Sequence, residues 1–144
     1  MQAGLLDKNF LFKSVGFTNP LPPATISETV PIKDAAAIMK KKNTGCCLVV
    51  RPDGTLLGIL SERDIVSKVI LEDTKTTAPV SAIMIKDPKT IDMTATISHV
   101  LNLMAEGGYR HVPIVDKENI PLGVVSVKNI VTFISKQLSK GLSM

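Results

Sequence analysis

Two matched segments of this 144-residue chain hold the residue types that could do chemistry. They are Gly58-Ile59-Leu60-Ser61-Glu62-Arg63-Asp64 and Gly123-Val124-Val125-Ser126-Val127-Lys128-Asn129. Each places a hydroxyl at a strand-to-helix junction and, three residues on, a carboxylate or carboxamide in the first helical turn. N–H groups exposed at a helix start attract phosphate, and a serine hydroxyl adds a hydrogen bond. A carboxylate accepts two hydrogen bonds at once, which suits the vicinal hydroxyls of a ribose, whereas the Asn129 amide accepts only through its carbonyl oxygen. Arg63 and Lys128 offer charge for phosphate oxygens. The same spacing also describes a capping box, in which serine and the residue three positions later satisfy helix-start N–H groups reciprocally. On spacing alone both readings stand.

A second constellation is Gly107-Gly108-Tyr109-Arg110-His111-Val112-Pro113, whose counterpart Asn43-Thr44-Gly45-Cys46-Cys47-Leu48 carries no charge. Arg110 offers a bidentate fork for phosphate, and His111 a hydrogen bond or a pH-dependent charge. The alternative is a surface arginine beside a solvated histidine. Two scattered histidines, His99 and His111, without a Cys-x-x-Cys give no metal cluster. Neither a phosphate-binding Walker loop nor a GxGxxG is present, and no nucleophile, base and oxyanion donors assemble into a catalytic site. The expectation is a protein that is not an enzyme.

The elements that position these residues are repeated. Sliding the sequence by 65 positions lays residues 25–69 on residues 90–134 without a gap. Identical pairs include Thr25/Thr90, Ile26/Ile91, Ile32/Ile97, Met39/Met104, Gly58/Gly123, Ser61/Ser126 and Ile65/Ile130. Each copy reads as a short extended piece, a helix, a strand, a turn, a second strand and a closing helix. The first helix shows apolar spacing i, i+3, i+4, i+7 at Ile32, Ala35, Ala36, Met39 and at Ile97, Val100, Leu101, Met104. The strands are Cys46 to Val50 and Leu56 to Leu60 in one copy, and Val112 to Val115 and Leu122 to Val125 in the other. The closing helices run from about Glu62 to Leu71 and from Val127 to Leu138. The unit is β-α-β-β-α. About 60 residues bury too little surface to be stable alone, so the two copies are expected to pack together with pseudo-twofold symmetry. That arrangement has two clefts between the copies, and such clefts favour ligands. The expected division is an N-terminal arm 1–22, repeat one 23–71, linker 72–87, repeat two 88–138 and tail 139–144.

GILSERDI and GVVSVKNI at one offset, with GYRHVPIVD, CCLVVRPDGTLLG and SAIMIKDPKTI, resemble a tandem pair of CBS domains, the regulatory modules named after cystathionine β-synthase. The resemblance covers residues 20 to 136. It implies an α/β (α+β) fold of two repeats packed through their sheets, and a non-catalytic, energy-sensing regulator. Such a module binds AMP, ADP or ATP, or alternatively S-adenosylmethionine, and signals by conformational or oligomeric change. It also implies a homodimer that acts on a regulated protein. Carried over, cleft one joins Ser61, Arg63 and Asp64 to Pro88, Lys89, Thr90, Arg110 and His111. Cleft two joins Ser126, Lys128 and Asn129 to Pro23, Ala24, Thr25, Gly45 and Cys46. The competing reading is a dimerisation or docking scaffold with vestigial clefts.

Composition fits this picture. The chain is 44% hydrophobic and 21% charged, the range of ordinary globular proteins. Its net charge of +4 favours anionic partners, but the excess is dispersed. The one tight run, Lys40 to Lys42, falls at a helix end, where cations complement the dipole. Nucleic acid ranks last as a partner, because a single-strand groove needs stacking aromatics and the repeats have only Tyr109 and Phe133. Cys46 and Cys47 are strand neighbours pointing to opposite faces, so core packing is expected over redox chemistry, in a reducing cytoplasm. No stretch approaches a membrane span or a signal h-region. Phe10, Phe12 and Phe17 lie in the arm, where burial of each would contribute about 1.5 to 3 kcal/mol. The arm is therefore expected to pack on its own module or on a partner.

Overall fold

The computed structural model describes residues 8–142. Helix α1 (Ile32–Lys42) buries Ile32, Ala35 and Met39 and ends at Asn43, whose left-handed backbone (φ 51°) lets its N–H reach the carbonyls of Met39 and Lys40. Helix α3 (Ile97–Gly107) buries Ile97, Val100 and Met104 and ends the same way at Gly108, φ 69°. Asn43 and Gly108 are 65 residues apart, so the repeat includes the helix stop. Lys40, Lys41 and Lys42 occupy the last turn of α1, where the dipole favours cations.

Contacts divide the chain into two compact units. In the unit that carries repeat one, here the first unit, Pro22–Lys89 with Val115–Leu122, strands β1 (Thr25–Ser27), β2 (Cys46–Val50), β3 (Leu56–Ser61) and β4 (Ile85–Lys86) form one sheet in sequence order. β1 runs parallel to β2, and the other pairs are antiparallel. The other unit holds the described residues up to Leu21, Thr90–Ile114 and the described residues from Gly123 on. It contains most of strands β5 (His111–Val115) and β6 (Pro121–Ser126), which pair with each other.

The 65-residue offset governs hydrogen bonds as well as side chains. The parallel pair Ile26 with Val49 reappears as Ile91 with Ile114. The two aliphatic cores correspond position by position: Ile32 with Ile97, Ala35 with Val100, Cys47 with Val112, Val49 with Ile114 and Leu60 with Val125. A structural equivalence also extends upstream of the sequence repeat. Val80 donates to the Val30 carbonyl and Ile32 to that of Ala78, and 65 residues earlier or later Val15 donates to Ala95 and Ile97 to Lys13. Val15 and Val80 are both fully buried, and each begins a single 3₁₀ turn, Val15–Thr18 or Val80–Ala82.

Each upstream segment therefore completes the sheet of one unit. Residues 78–86 supply β4 to the first unit, while Leu21 exchanges two backbone hydrogen bonds with Val124 in the second. Gly58 and Gly123 permit these close approaches. A Cβ on Gly58 would stand 2.8 Å from the Ile85 oxygen, and one on Gly123 would stand 3.2 Å from that of Leu21. The segment expected to be a linker thus holds a 3₁₀ turn and a strand, and residues 13–21 do the same work for the second unit.

The arm packs only in part. Phe10 is buried against Phe133, with ring centroids 6.1 Å apart and planes tilted by 57°. Phe12 and Phe17 stay exposed, and the Lys13 ammonium lies 5.2 Å from the Phe17 ring centroid.

Candidate functional site

Each strand-to-helix junction holds a linked pair of polar side chains, Ser61 with Asp64 and Ser126 with Asn129. At the end of β3, Ser61 caps helix α2 (Glu62–Ile65), which continues as a π-helical segment through Val66–Leu71. The Asp64 N–H donates to Ser61 Oγ at 3.2 Å, and Asp64 Oδ2 accepts from both the Ser61 N–H and Ser61 Oγ at 2.9 Å. The capping box is thus formed. It occupies a single carboxylate oxygen: among the described residues no hydrogen bond reaches Asp64 Oδ1. The two readings of the motif are compatible, because one oxygen caps and the other keeps its acceptor capacity.

Helix α4 (Val127–Leu142) begins identically but with a different remainder. The Asn129 N–H donates to Ser126 Oγ at 3.1 Å, and Asn129 Oδ1 accepts from the Ser126 N–H and Oγ at 2.9 Å. The cap takes the amide's only acceptor atom and leaves its NH₂ group, which donates. The first junction therefore retains an acceptor and the second a donor.

Within each unit the chain brings the start of the second strand against this junction. The Glu62 N–H donates to the Gly45 carbonyl, and Cys46 faces Ser61 across the sheet. One strand further, the Leu48 N–H donates to the Ala24 carbonyl, and Thr25 pairs with Leu48, which places Pro23, Ala24 and Thr25 beside β2. In the other unit the Val127 N–H donates to the Arg110 carbonyl, with His111 opening β5. Ile91 donates to the Pro113 carbonyl, setting Thr90 at the edge of β5. Pro88 and Lys89 follow β4, after Asp87 donates to the Leu57 carbonyl. So Gly45 and Cys46 adjoin Ser61, Arg63 and Asp64, while Arg110 and His111 adjoin Ser126, Lys128 and Asn129. Arg63, Lys89, Arg110 and Lys128 are all exposed.

Both cysteines are buried and unpaired. Burial, reinforced by the neighbouring charges of Cys47 and Glu62, pushes the Cys46 thiol up from 9.0 to about 12. Burial also raises Cys47, with Lys42 acting in the opposite direction. Protonated thiols in this setting pack and do not attack. Among the described residues no three His, Cys, Asp or Glu side chains come together to hold a metal ion, and no helix is long and apolar enough to cross a membrane.

Sequence reasoning had no role for Gly58 and Gly123 beyond their place in the motif. Their identity at the 65-residue offset was the available signal, and the close backbone approach explains it.

The repeat and its junctions have counterparts in known proteins. The CBS domain family model matches residues 16–71 and again residues 80–136. CBS domain-containing protein YhcV of Bacillus subtilis is 32% identical over 117 residues, covering 81% of this chain and 82% of that protein. An uncharacterized 17.7 kDa protein of Acidianus ambivalens is 31% identical over 105 residues, or 73% of this chain; the match spans 63% of its own length. Among solved structures, the CBS domain pair of protein MJ0100, in complex with 5′-methylthioadenosine and S-adenosyl-L-methionine, superposes with a TM-score of 0.77 at 26% identity. That match covers 83% of this chain and 98% of the other. The chain belongs to the CBS domain family and carries two such domains in tandem.

Proposed function

We propose that this protein is a non-catalytic sensor of adenosine-containing ligands, and that the ribose hydroxyls bind Asp64 Oδ1. The observation that carries this reading is the division of labour at Asp64, where one oxygen caps α2 and the other keeps its lone pairs. Ser61, Arg63, Pro88, Lys89, Thr90, Arg110 and His111 make up the rest of the first site. Ser126, Lys128, Asn129, Pro23, Ala24, Thr25, Gly45 and Cys46 form the second, which ranks lower because the cap consumes the Asn129 carbonyl.

The ligand's charge follows from the residues. The first set holds the cations Arg63, Lys89 and Arg110 against the single carboxylate of Asp64. A surplus of guanidinium and ammonium groups suits phosphate and disfavours the cationic sulfonium of S-adenosylmethionine. AMP, ADP and ATP therefore lead. S-adenosylmethionine is kept as a second reading because MJ0100, at 26% identity, binds it. The ligand acts by its differential affinity for two arrangements of the protein, which a homodimer passes to a regulated partner. Two reduced, buried thiols suit the cytoplasm.

The test is calorimetric titration of AMP, ADP, ATP and S-adenosylmethionine into the 144-residue chain unfolded and refolded to remove copurified ligand. A phosphate-bearing adenosine binds most tightly. Failure of all four to bind below millimolar concentration rejects the sensor and leaves the docking scaffold.

A further inference from the structure

We propose that Tyr109 is a positioning residue for phosphate recognition, its ring holding the chain at the point where the Arg110 side chain leaves it. The proposal rests on the sensor reading above, in which Arg110 supplies charge for phosphate, and adds a residue that lies in neither proposed site.

The two repeats differ sharply at this strand entry. Lys42, Thr44 and Gly45 of repeat one are replaced at the equivalent positions by Gly107, Tyr109 and Arg110. In repeat one the small residue suffices: the Thr44 N–H donates to the Met39 carbonyl at 3.0 Å and the Thr44 hydroxyl to the Cys46 carbonyl at 3.5 Å. In repeat two the tyrosine ring packs on the aliphatic core of its unit and also lies on Gly107. A Cβ on Gly107 would overlap that ring, standing 2.6 Å from Cδ2 and 2.7 Å from Cζ, where real Cβ atoms keep at least 3.0 Å. Gly107 and Tyr109 therefore work as a pair, the glycine making the space that the ring fills.

The ring restrains what the glycines free. Gly107 and Gly108 in succession loosen the backbone directly before the arginine, although Gly108 is needed for the left-handed helix stop. Beyond them the chain is fixed again: the Arg110 carbonyl accepts the Val127 N–H at 3.0 Å, and His111 opens β5. Tyr109 is the single residue between the glycine pair and Arg110, and its packing carries the rigidity of the core to that arginine. A guanidinium fork grips phosphate through donors of fixed geometry, and holding its backbone in place beforehand lowers the entropy lost on binding. Gly45, the counterpart of Arg110, has no side chain to aim, and no aromatic precedes it.

AMP and adenosine are titrated by calorimetry into the 144-residue chain and its variants, because the ratio of their affinities isolates the phosphate. The wild type prefers AMP. Tyr109→Ala lowers that preference by about fivefold, the equivalent of freeing the backbone of one residue, whereas Tyr109→Phe keeps it. Gly107→Ala lowers it as well while retaining the tyrosine. Alanine is the better helix former at this exposed helix end, so this variant serves where loss of the ring impairs folding. Arg110→Ala lowers the preference too, and adding Tyr109→Ala lowers it no further, the mark of one residue acting through another. Equal weakening of AMP and adenosine in Tyr109→Ala, or an unchanged preference in Tyr109→Ala and Gly107→Ala, overturns this inference and leaves the sensor standing. Loss of the preference in Tyr109→Phe also overturns it, by assigning the effect to the hydroxyl. A wild type that binds neither compound overturns the sensor and this inference together.

Discussion

Asp64→Asn isolates the oxygen on which the proposed function depends. The substitution copies the second repeat, where Asn129 Oδ1 alone accepts the Ser126 N–H and Oγ at 2.9 Å. The variant therefore keeps the cap of α2 and changes only the atom facing away from it, from an acceptor oxygen to an NH₂ donor. Removing one negative charge from a first helical turn costs about 0.3 to 1 kcal/mol. A hydrogen bond to a charged group contributes about 1.5 to 3 kcal/mol, which corresponds to roughly 10-fold to 150-fold in affinity. Calorimetry is thus expected to show nucleotide binding weakened by at least about tenfold, while urea unfolding shifts by no more than about 1 kcal/mol. Asn129→Ala, which damages the equivalent cap, weakens binding less than Asp64→Ala. Unchanged affinity in Asp64→Asn would refute the division of labour at Asp64, and the reverse order of the two alanine variants would move the ligand to the second repeat.

Three further outcomes follow from the packing and the thiols. Gly58→Ala destabilises by about 1 to 3 kcal/mol, because its Cβ meets backbone at 2.8 Å, and more than Gly123→Ala at 3.2 Å; urea unfolding of the pair checks the order. Phe10→Ala costs about 3 kcal/mol through loss of the buried contact with Phe133, whereas Phe12→Ala stays within about 0.5 kcal/mol; equal effects would contradict the partial docking of the arm. The raised Cys46 thiol favours the neutral form in the folded state, so its contribution to stability is full below about pH 9 and lost as pH rises toward 12. At pH 8 the native protein reacts with a thiol reagent far more slowly than the denatured chain, and equal rates would contradict the burial.

Most of each repeat was legible because its signals are local or doubled. Helix periodicity, the Asn43 and Gly108 stops and the serine caps are set by neighbouring residues, and the 65-residue offset lets one copy check the other. Residues 13–21 and 78–86 escaped notice for a physical reason. Each is a single 3₁₀ turn followed by one or two paired residues, too short for periodicity, and Val15 and Val80 are their only identity. Their role comes from the sheet edge they reach, which is tertiary information. The Phe-rich composition of the arm drew attention to its aromatic side chains, of which only Phe10 is buried, whereas the buried Val15 side chain and the backbone at Val15 and Leu21 share the structural work. At the site, spacing identified Ser61, Asp64, Ser126 and Asn129 but not how their atoms are shared. That sharing separates the two junctions only once the hydrogen bonds are in place.

Contact between the ribose and Asp64 is read directly by one calorimetric cycle. AMP and its 2′-deoxy and 3′-deoxy analogues are titrated into the wild-type chain and into Asp64→Asn. The account predicts that loss of a hydroxyl weakens binding to the wild type by about tenfold, the equivalent of one hydrogen bond to a charged group, and has little further effect in the variant. An equal loss in both proteins would show that the ribose is held elsewhere and contradict the account.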